Sequence, residues 1–264
     1  MRLILTADLH FGKNATGDAS AREMAREINS LGADALILAG DNAAFDPELF
    51  HDCFQLFADF PGRKLALCGN HDLWTRDGDS HAIYEHVFAT WAEETGFEYL
   101  EGAPVVIGGV GIAGSIGWYD YSFRDEDLDI PQKYFEQNFH PKYARWNDGV
   151  FVKMSMSDTE FHAQCLATLE EGIQSLLPRA DTIVAVTHMV AFEEMRVQRQ
   201  GPVWGFCNAF MGSRSLGELL LRYPEIRHHF CGHTHLHHVY EMNGMRSVNI
   251  GSNYLQKRYE ILEL

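Results

Sequence analysis

Five apolar runs in this chain each stop at a residue able to bind a metal ion, and that repetition constrains the fold more than any other feature. "RLILTA" (2–7) runs into Asp8 and His10, "ALILAG" (35–40) into Asp41, and "KLALC" (64–68) into Gly69, Asn70, His71 and Asp72. "TIVAVT" (182–187) is followed by His188, and "RHHFC" (227–231) by Gly232, His233, Thr234 and His235. Short apolar runs of this kind read as buried strands. Amphipathic segments separate them, and strand–helix alternation gives an α/β protein with a largely parallel sheet, in which ligands bind beyond the carboxyl ends of the strands. The five polar ends are therefore expected to converge on one rim.

The intervening segments carry helix signals. Ser20 and Glu23 form a capping-box pattern ahead of Met24, Ile28 and Leu31, which share one helical face. Asp46 with Pro47 opens a helix carrying Phe50, Phe54 and Phe57, and residues 79–95 form another that stops at Gly96. A further helix is expected over 158–177, with Phe161, Cys165, Leu169, Ile173 and Leu176 on its apolar side. Two stretches change character: "PVVIGGVGIAG" (104–114) and "HHVYEMNGMRSVNI" (237–250) read as hairpins, the second turning at Asn243-Gly244, a favoured type I′ pair. They point to a second sheet with antiparallel character packed on the first. Residues 116–160 are rich in aromatic and acidic side chains without a period, and read as a long insertion forming a cap beside the site. No repeat, low-complexity segment or linker divides the chain, so residues 1–264 are expected to form a single domain.

Bulk properties narrow the class. With 264 residues and 46% hydrophobic content the chain can fill a sizeable core. The apolar run Leu3 to Leu5 meets Asp8 too soon for a signal-peptide core, and no stretch approaches the roughly 18 apolar residues of a membrane span. The expectation is a cytoplasmic protein without a membrane partner. Five cysteines, Cys53, Cys68, Cys165, Cys207 and Cys231, are odd in number and form no CxxC pair, which argues against a disulfide framework or a thiolate metal site. A net charge of −16 argues against a nucleic-acid partner, which would call for a basic footprint. Two bound divalent cations would reverse that field locally.

Each polar strand end has an ordinary explanation by itself. Asp8 or Asp41 could cap a helix or close a turn, Asn70 and His71 could form a tight turn, and His188 could be a hydrogen-bonded core histidine. None of these explains why all five ends carry such residues. In the histidine-rich stretch 228–238, His233 and His235 are two apart and Gly232 lets the backbone bend closely, so one tight loop can aim both imidazoles at one locus. His228, His229, His237 and His238 are expected to be solvated or strand-facing. The candidate ligands are then Asp8, His10, Asp41, Asn70, His188, His233 and His235. One ion of ordinary coordination does not need so many, whereas two ions sharing a carboxylate would, with Asp41 as the natural bridge. Carboxylate, amide and imidazole without thiolate suit two divalent transition-metal ions, with manganese put first and iron, zinc or cobalt as alternatives.

The ordered segments Asp8-Leu9-His10, Gly40-Asp41-Asn42, Gly69-Asn70-His71-Asp72, Thr187-His188 and Gly232-His233-Thr234-His235 closely resemble the calcineurin-like metallophosphoesterase superfamily. "VNIGS" (248–252) is similar to the NxGS segment that commonly follows the last motif there. The resemblance spans nearly the whole chain. It implies a four-layer α/β/β/α sandwich of two mixed sheets with a dinuclear site at the carboxyl ends of strands. It also implies that one metal takes Asp8, His10, Asp41 and His235, and the other Asp41, Asn70, His188 and His233. His71 would act on the leaving-group side, held by Asp72, which would orient the imidazole and favour its protonated form. Many relatives have a second acidic residue soon after the GD pair; here the run is "GDNAAFD" and Asn42 supplies no charge. The implied chemistry is hydrolysis of phosphomonoester or phosphodiester bonds, with a metal-bridging hydroxide attacking phosphorus between ions about 3.5–4 Å apart.

Three functions compete: a phosphoesterase acting on a small-molecule phosphate ester, a DNA or RNA phosphodiesterase, and a non-catalytic protein-binding scaffold. The charge disfavours the second, and the complete ligand set disfavours the third. Trp118, Tyr119, Tyr121 and Phe123 in the insertion, with Trp204, Phe206 and Phe210, could wall a substrate site or simply pack. Arg124 and Arg214 are candidate phosphate contacts.

Overall fold

The computed structural model describes residues 1–43 and 46–264. Ala44 and Phe45, in the run after Asp41 where relatives carry a further acidic residue, lie outside the described residues. Along the first half the elements are β1 (Arg2–Thr6), α1 (Ala15–Ser30), β2 (Ala35–Ala39), α2 (Pro47–Gln55), β3 (Arg63–Leu67), α3 (Ser80–Ala82), α4 (Phe88–Glu94), β4 (Glu98–Tyr99), β5 (Val105–Ile107) and β6 (Val110–Ser115). Residues 116–160 contribute α5 (Gln132–Glu136), β7 (Phe139–His140), β8 (Ala144–Arg145) and α6 (Asp148–Phe151). Then come α7 (Asp158–Leu176), β9 (Thr182–Thr187), α8 (Pro202–Cys207), α9 (Arg214–Leu221), β10 (Ile226–Cys231), β11 (His238–Met242), β12 (Met245–Asn249) and β13 (Tyr259–Glu263).

Two large mixed sheets result. The five-stranded sheet runs β13-β1-β2-β3-β4 and is parallel except where β13 pairs antiparallel with β1. The six-stranded sheet runs β11-β12-β10-β9-β6-β5, with a parallel centre and an antiparallel hairpin at each edge. Apolar alternation explains the layering. Leu3, Leu5, Ile37, Leu65 and Leu67 of the first sheet face Ile112, Val184, Val186, Phe230 and Val248 of the second, forming the core between them. The opposite faces carry Ile4, Leu36 and Leu38 against α1 and α2, and Ile183 and Ala185 against α7 and α9. This is the α/β/β/α order that the motifs imply.

Several expectations need correction. The five ligand-bearing strands do not share one sheet: β1, β2 and β3 lie in the first, β9 and β10 in the second. The rim is shared because the two sheets face each other and end at the same level. Helix α1 starts at Ala15, capped by Asn14 accepting from the Gly17 amide, so the Ser20/Glu23 capping box does not form. Ser20 Oγ accepts instead from the Lys257 amide. Helix 79–95 contains a π-helical turn at Ile83–Val87, but its ends are as expected, with Asp79 as the cap and Gly96 at φ +76°. Strands β4 and β13 gave no clear sequence signal. The candidate wall aromatics are largely packing groups: Trp118, Tyr119 and Phe123 of residues 116–160, and Phe206 and Phe210 beyond them, are completely buried.

Candidate metal centre

The centre is assembled from the first residues past five strands, where the chain must turn sharply without moving the side chains out of reach. Asp8, His10, Asp41, His233 and His235 adopt φ of 57°, 43°, 53°, 71° and 58°, the left-handed region. Asp and His tolerate it better than most residues, yet each such position costs on the order of 1–3 kcal/mol. Hydrogen bonds hold the turns in place. The Asp8 amide donates to Gly40 O (3.0 Å), the His10 amide to Asp41 O (2.8 Å) and the Gly232 amide to His188 O (3.1 Å). Across the sheets, the His233 amide donates to Asp8 Oδ1 (2.9 Å). A Cβ on Gly69 would lie 2.2 Å from Asp41 Oδ1, and one on Gly232 would lie 2.6 Å from Asp8 Oδ2. Both glycines are thus required by close approach.

These turns form two clusters of potential metal-binding atoms, each with its atoms within 4.8 Å of one another: Asp8, His10, Asp41 and His235, and Asp41, His188 and His233. Asp41 belongs to both. Asn70 joins the second cluster, its Oδ1 3.2 Å from His188 Nε2, which is itself 3.3 Å from Asp41 Oδ1. In the first, His10 Nε2 is 3.4 Å from Asp41 Oδ2 and 3.0 Å from His235 Nε2, while His235 Nε2 is 3.6 Å from Asp8 Oδ1. All seven sequence-predicted ligands therefore come together, in the two groups the motifs imply.

Backbone carbonyls assign the imidazole tautomers. His188 Nδ1–H donates to Ala39 O (3.0 Å), leaving Nε2 to face the cluster; His233 Nε2–H donates to Phe210 O (3.1 Å), leaving Nδ1. Burial pushes His10 and His233 well below the ordinary imidazole range, so both offer lone pairs at neutral pH. Burial would also raise the Asp41 carboxyl, but His188, His71 and His10 hold it well below the usual range. His188 goes the other way: burial would lower it, and the neighbouring Asp41 lifts it to about 9. Two buried carboxylates, four imidazoles and an amide oxygen, free of thiolate, fit a pair of divalent transition-metal ions.

His71 and Asp72 depart from expectation. Asp72 accepts from the Asn42 amide and Nδ2 (both 2.9 Å), the Ala43 amide (3.3 Å) and the Gly69 amide (2.8 Å); among the described residues it makes no hydrogen bond to His71. Its carboxylate ties the Asp41 turn to the Asn70 turn, and burial raises it to about 8. The same contacts explain Asn42: its Nδ2 donates to the buried Asp72, a bond that a carboxylate at 42 has no N–H to make. His71 is brought to about 4 by burial and so is neutral, not protonated, at pH 7. Its ring stacks on Trp74 (centroids 3.7 Å, interplanar 23°) and meets His10 edge-on, with Nε2 3.9 Å from Asp41 Oδ2.

Other predicted and unpredicted residues fall into place around this core. His229, within strand β10, is wholly buried between Thr187 Oγ1 (2.9 Å) and Ser247 Oγ (2.7 Å), so of the two placements expected for it the strand one holds, as a core histidine. His237 bonds Glu260 at the surface. Arg124 donates to Gln132 and Arg214 to Glu193, so neither reaches the centre. Five contributors escaped sequence reasoning. Lys257 Nζ donates to Asp8 O (2.9 Å), and Asp148 accepts from Asn70 Nδ2 (2.9 Å). Tyr254 packs on His10 and His235, with Lys13 Nζ 4.0 Å above its ring. Trp74 carries the His71 stack. Only the "VNIGS" segment gave a usable signal for a supporting residue: Asn249 Nδ2 donates to Gly232 O (2.6 Å) and Thr234 Oγ1 (2.8 Å), bracing the loop of His233 and His235.

Comparison with known proteins agrees with this geometry. The family described as calcineurin-like phosphoesterase matches residues 1–237. Among solved structures, the chain is similar to a phosphopantetheinyl hydrolase from Mycobacterium tuberculosis, with TM-score 0.73 and 21% identity over 96% of this chain and 89% of that one. It is also similar to a dimetal phosphatase from Danio rerio, with TM-score 0.60 and 11% identity over 99% of this chain and 91% of that one. No curated protein sequence gives a significant match. The chain belongs to the calcineurin-like phosphoesterase family and is a metal-dependent hydrolase of phosphate esters.

Proposed function

We propose that Asp8, His10, Asp41 and His235 hold one divalent transition-metal ion and Asp41, Asn70, His188 and His233 a second, manganese being the first to try. On that reading the protein hydrolyses a phosphomonoester or phosphodiester bond of a small molecule. The observation that carries this is the sharing of Asp41 by two clusters of potential ligands. When bound, such a pair supplies electrophilic stabilisation of a phosphoryl group and an activated water at neutral pH. The protein's own residues do the rest. The side chains of His235 and His71 are 19% and 16% exposed while those of Asp8, Asp41 and His188 are closed off, so substrate approaches from the His71 and His235 side. Tyr254 walls that side beside His10 and His235, and Lys13 brings a cation to it. On this reading His71, neutral and stacked face-on against Trp74, gives an N–H hydrogen bond to the departing oxygen. Asp72 acts at one remove, by fixing the turns that carry Asp41 and Asn70.

The net charge of −16 makes a small ester a better candidate than a nucleic acid, and the resemblance to a phosphopantetheinyl hydrolase makes pantetheine phosphate esters a sensible part of a substrate panel. The test is hydrolysis of p-nitrophenyl phosphate and bis(p-nitrophenyl) phosphate by protein loaded with manganese, iron or zinc. Activity should vanish with a chelator and return with metal. Equal activity in metal-stripped protein would overturn the proposal.

A further inference from the structure

We propose that Asp148, supplied by the 116–160 insertion, is a positioning residue that sets both the amide ligand Asn70 and the leaving-group histidine His71. The inference rests on the ligand reading above and gives the insertion a part in the site. Four donors converge on this one buried carboxylate. Oδ1 accepts from Asn70 Nδ2 (2.9 Å) and Trp74 Nε1 (2.6 Å); Oδ2 accepts from Trp146 Nε1 (2.7 Å) and shares the single hydroxyl proton of Tyr119 (3.3 Å) with Asn138 Oδ1 (3.2 Å). An ionised carboxylate has about four acceptor sites, enough for all of these donors.

The two Oδ1 bonds act on different parts of the centre. With Nδ2 engaged, the Asn70 amide has a single orientation, its Oδ1 directed toward His188 Nε2 (3.2 Å) and the second cluster. A flipped amide would present N–H groups to a cation. The Trp74 bond fixes an indole that lies between His71 (3.7 Å) and Phe151 (4.9 Å). Among the described residues the His71 ring nitrogens make no hydrogen bond, so this stack and the edge contact with His10 set the ring's position. The two Oδ2 bonds hold Asp148 itself: Trp146 stacks on Phe210 at 5.3 Å, and Tyr119 belongs to the core. An asparagine at 148 has one acceptor oxygen and would turn its NH₂ against indole or amide donors. It cannot keep all four.

The experiment compares wild type with Asp148→Asn, Trp74→Phe and Tyr119→Phe, reading metal content, metal affinity, kcat and KM. For Asp148→Asn we expect one of two metals to bind about 10–100-fold more weakly, the usual effect of losing a group that orients a ligand, and kcat to fall with KM nearly unchanged. Trp74→Phe should keep both metals and lose kcat through His71. Tyr119→Phe, which leaves both Oδ1 bonds intact, should match wild type in metal affinity. A folded Asp148→Asn protein with two tightly bound metals and wild-type kcat would overturn the proposal. If that variant does not fold, Trp74→Phe decides: lower kcat with both metals retained supports the proposal, and wild-type kcat overturns it. Wild-type protein that binds no metal would instead sink the ligand reading itself, and the proposal with it.

Discussion

Asp41 is the residue on which both clusters turn, and its surroundings leave it little freedom. Its Oδ1 accepts from the His71 amide (2.9 Å), and the backbone of Gly69 lies against its carboxylate. On the proposed assignment, Asp41→Asn removes the charge common to both ions. Elemental analysis should then fall from about two metals per chain to fewer than one, while the apo fold persists. Gly69→Ala tests the same point by shape alone. Its Cβ would meet Asp41 Oδ1 and Asp41 N at 2.2 and 2.3 Å, so the turn must shift. We expect a loss of about 1–3 kcal/mol, as for other overpacked sites, together with reduced metal content. A denaturant titration of the metal-free protein separates the two effects. If Gly69→Ala kept full stability and full metal binding, close approach would not be what requires glycine there.

At the scale of elements, β10 shows how a strand can both build the core and aim ligands. Its Phe230 faces the inter-sheet core, and its end delivers His233 and His235. His229 sits within it, fully buried, and burial lowers its imidazole to about 3. The unfolded chain takes up a proton on this histidine near pH 6.5, its ordinary value. Between about 6.5 and about 3 the unfolded state therefore binds one proton more than the folded state, and stability falls as pH falls through that window. The slope from this one group is about 1.4 kcal/mol per pH unit. His229→Asn should lower stability at neutral pH yet lose that slope, seen as a difference between the two proteins in urea denaturation at pH 7, 6 and 5. Parallel slopes would mean that His229 is protonated in the fold. The elements themselves were largely legible. Helix α7 and both hairpins carry strong periodicity or a turn pair, Asn243 and Gly244 taking φ 52° and 80°. Strand β13 was not, because its alternation is short and its pairing partner, β1, lies at the other end of the sequence.

Over the whole molecule, the centre joins the two sheets. Asp8, His10, Asp41 and Asn70 follow strands of one, and His188, His233 and His235 follow strands of the other. Metal bound there would cross-link the faces that pack Leu5 and Ile37 against Val186 and Phe230. Binding to the folded state alone adds about 2.7 kcal/mol at one hundred times the dissociation constant. The melting temperature should therefore rise with manganese or zinc concentration and drop on chelation; a melting temperature indifferent to metal would argue against a site spanning both sheets. No helix among the described residues is long and apolar enough to cross a membrane.

The sequence by itself determined the candidate ligands, because each is stated locally: an apolar β run, then a polar residue at the turn. It also determined the order of the five motifs and the helices α1, α2, α3 with α4, and α7, but not α5, α6, α8 or α9. Only the tertiary structure decided that the five strands divide between two sheets, that Asp72 braces turns and leaves His71 to Trp74, and that Asp148 reaches Asn70. The physical reason is range. A period or a cap is written within a few neighbouring residues, whereas the Asp148–Asn70 hydrogen bond joins positions 78 apart, and nothing in an aperiodic aromatic insertion announces which of its acidic residues will be buried against the site.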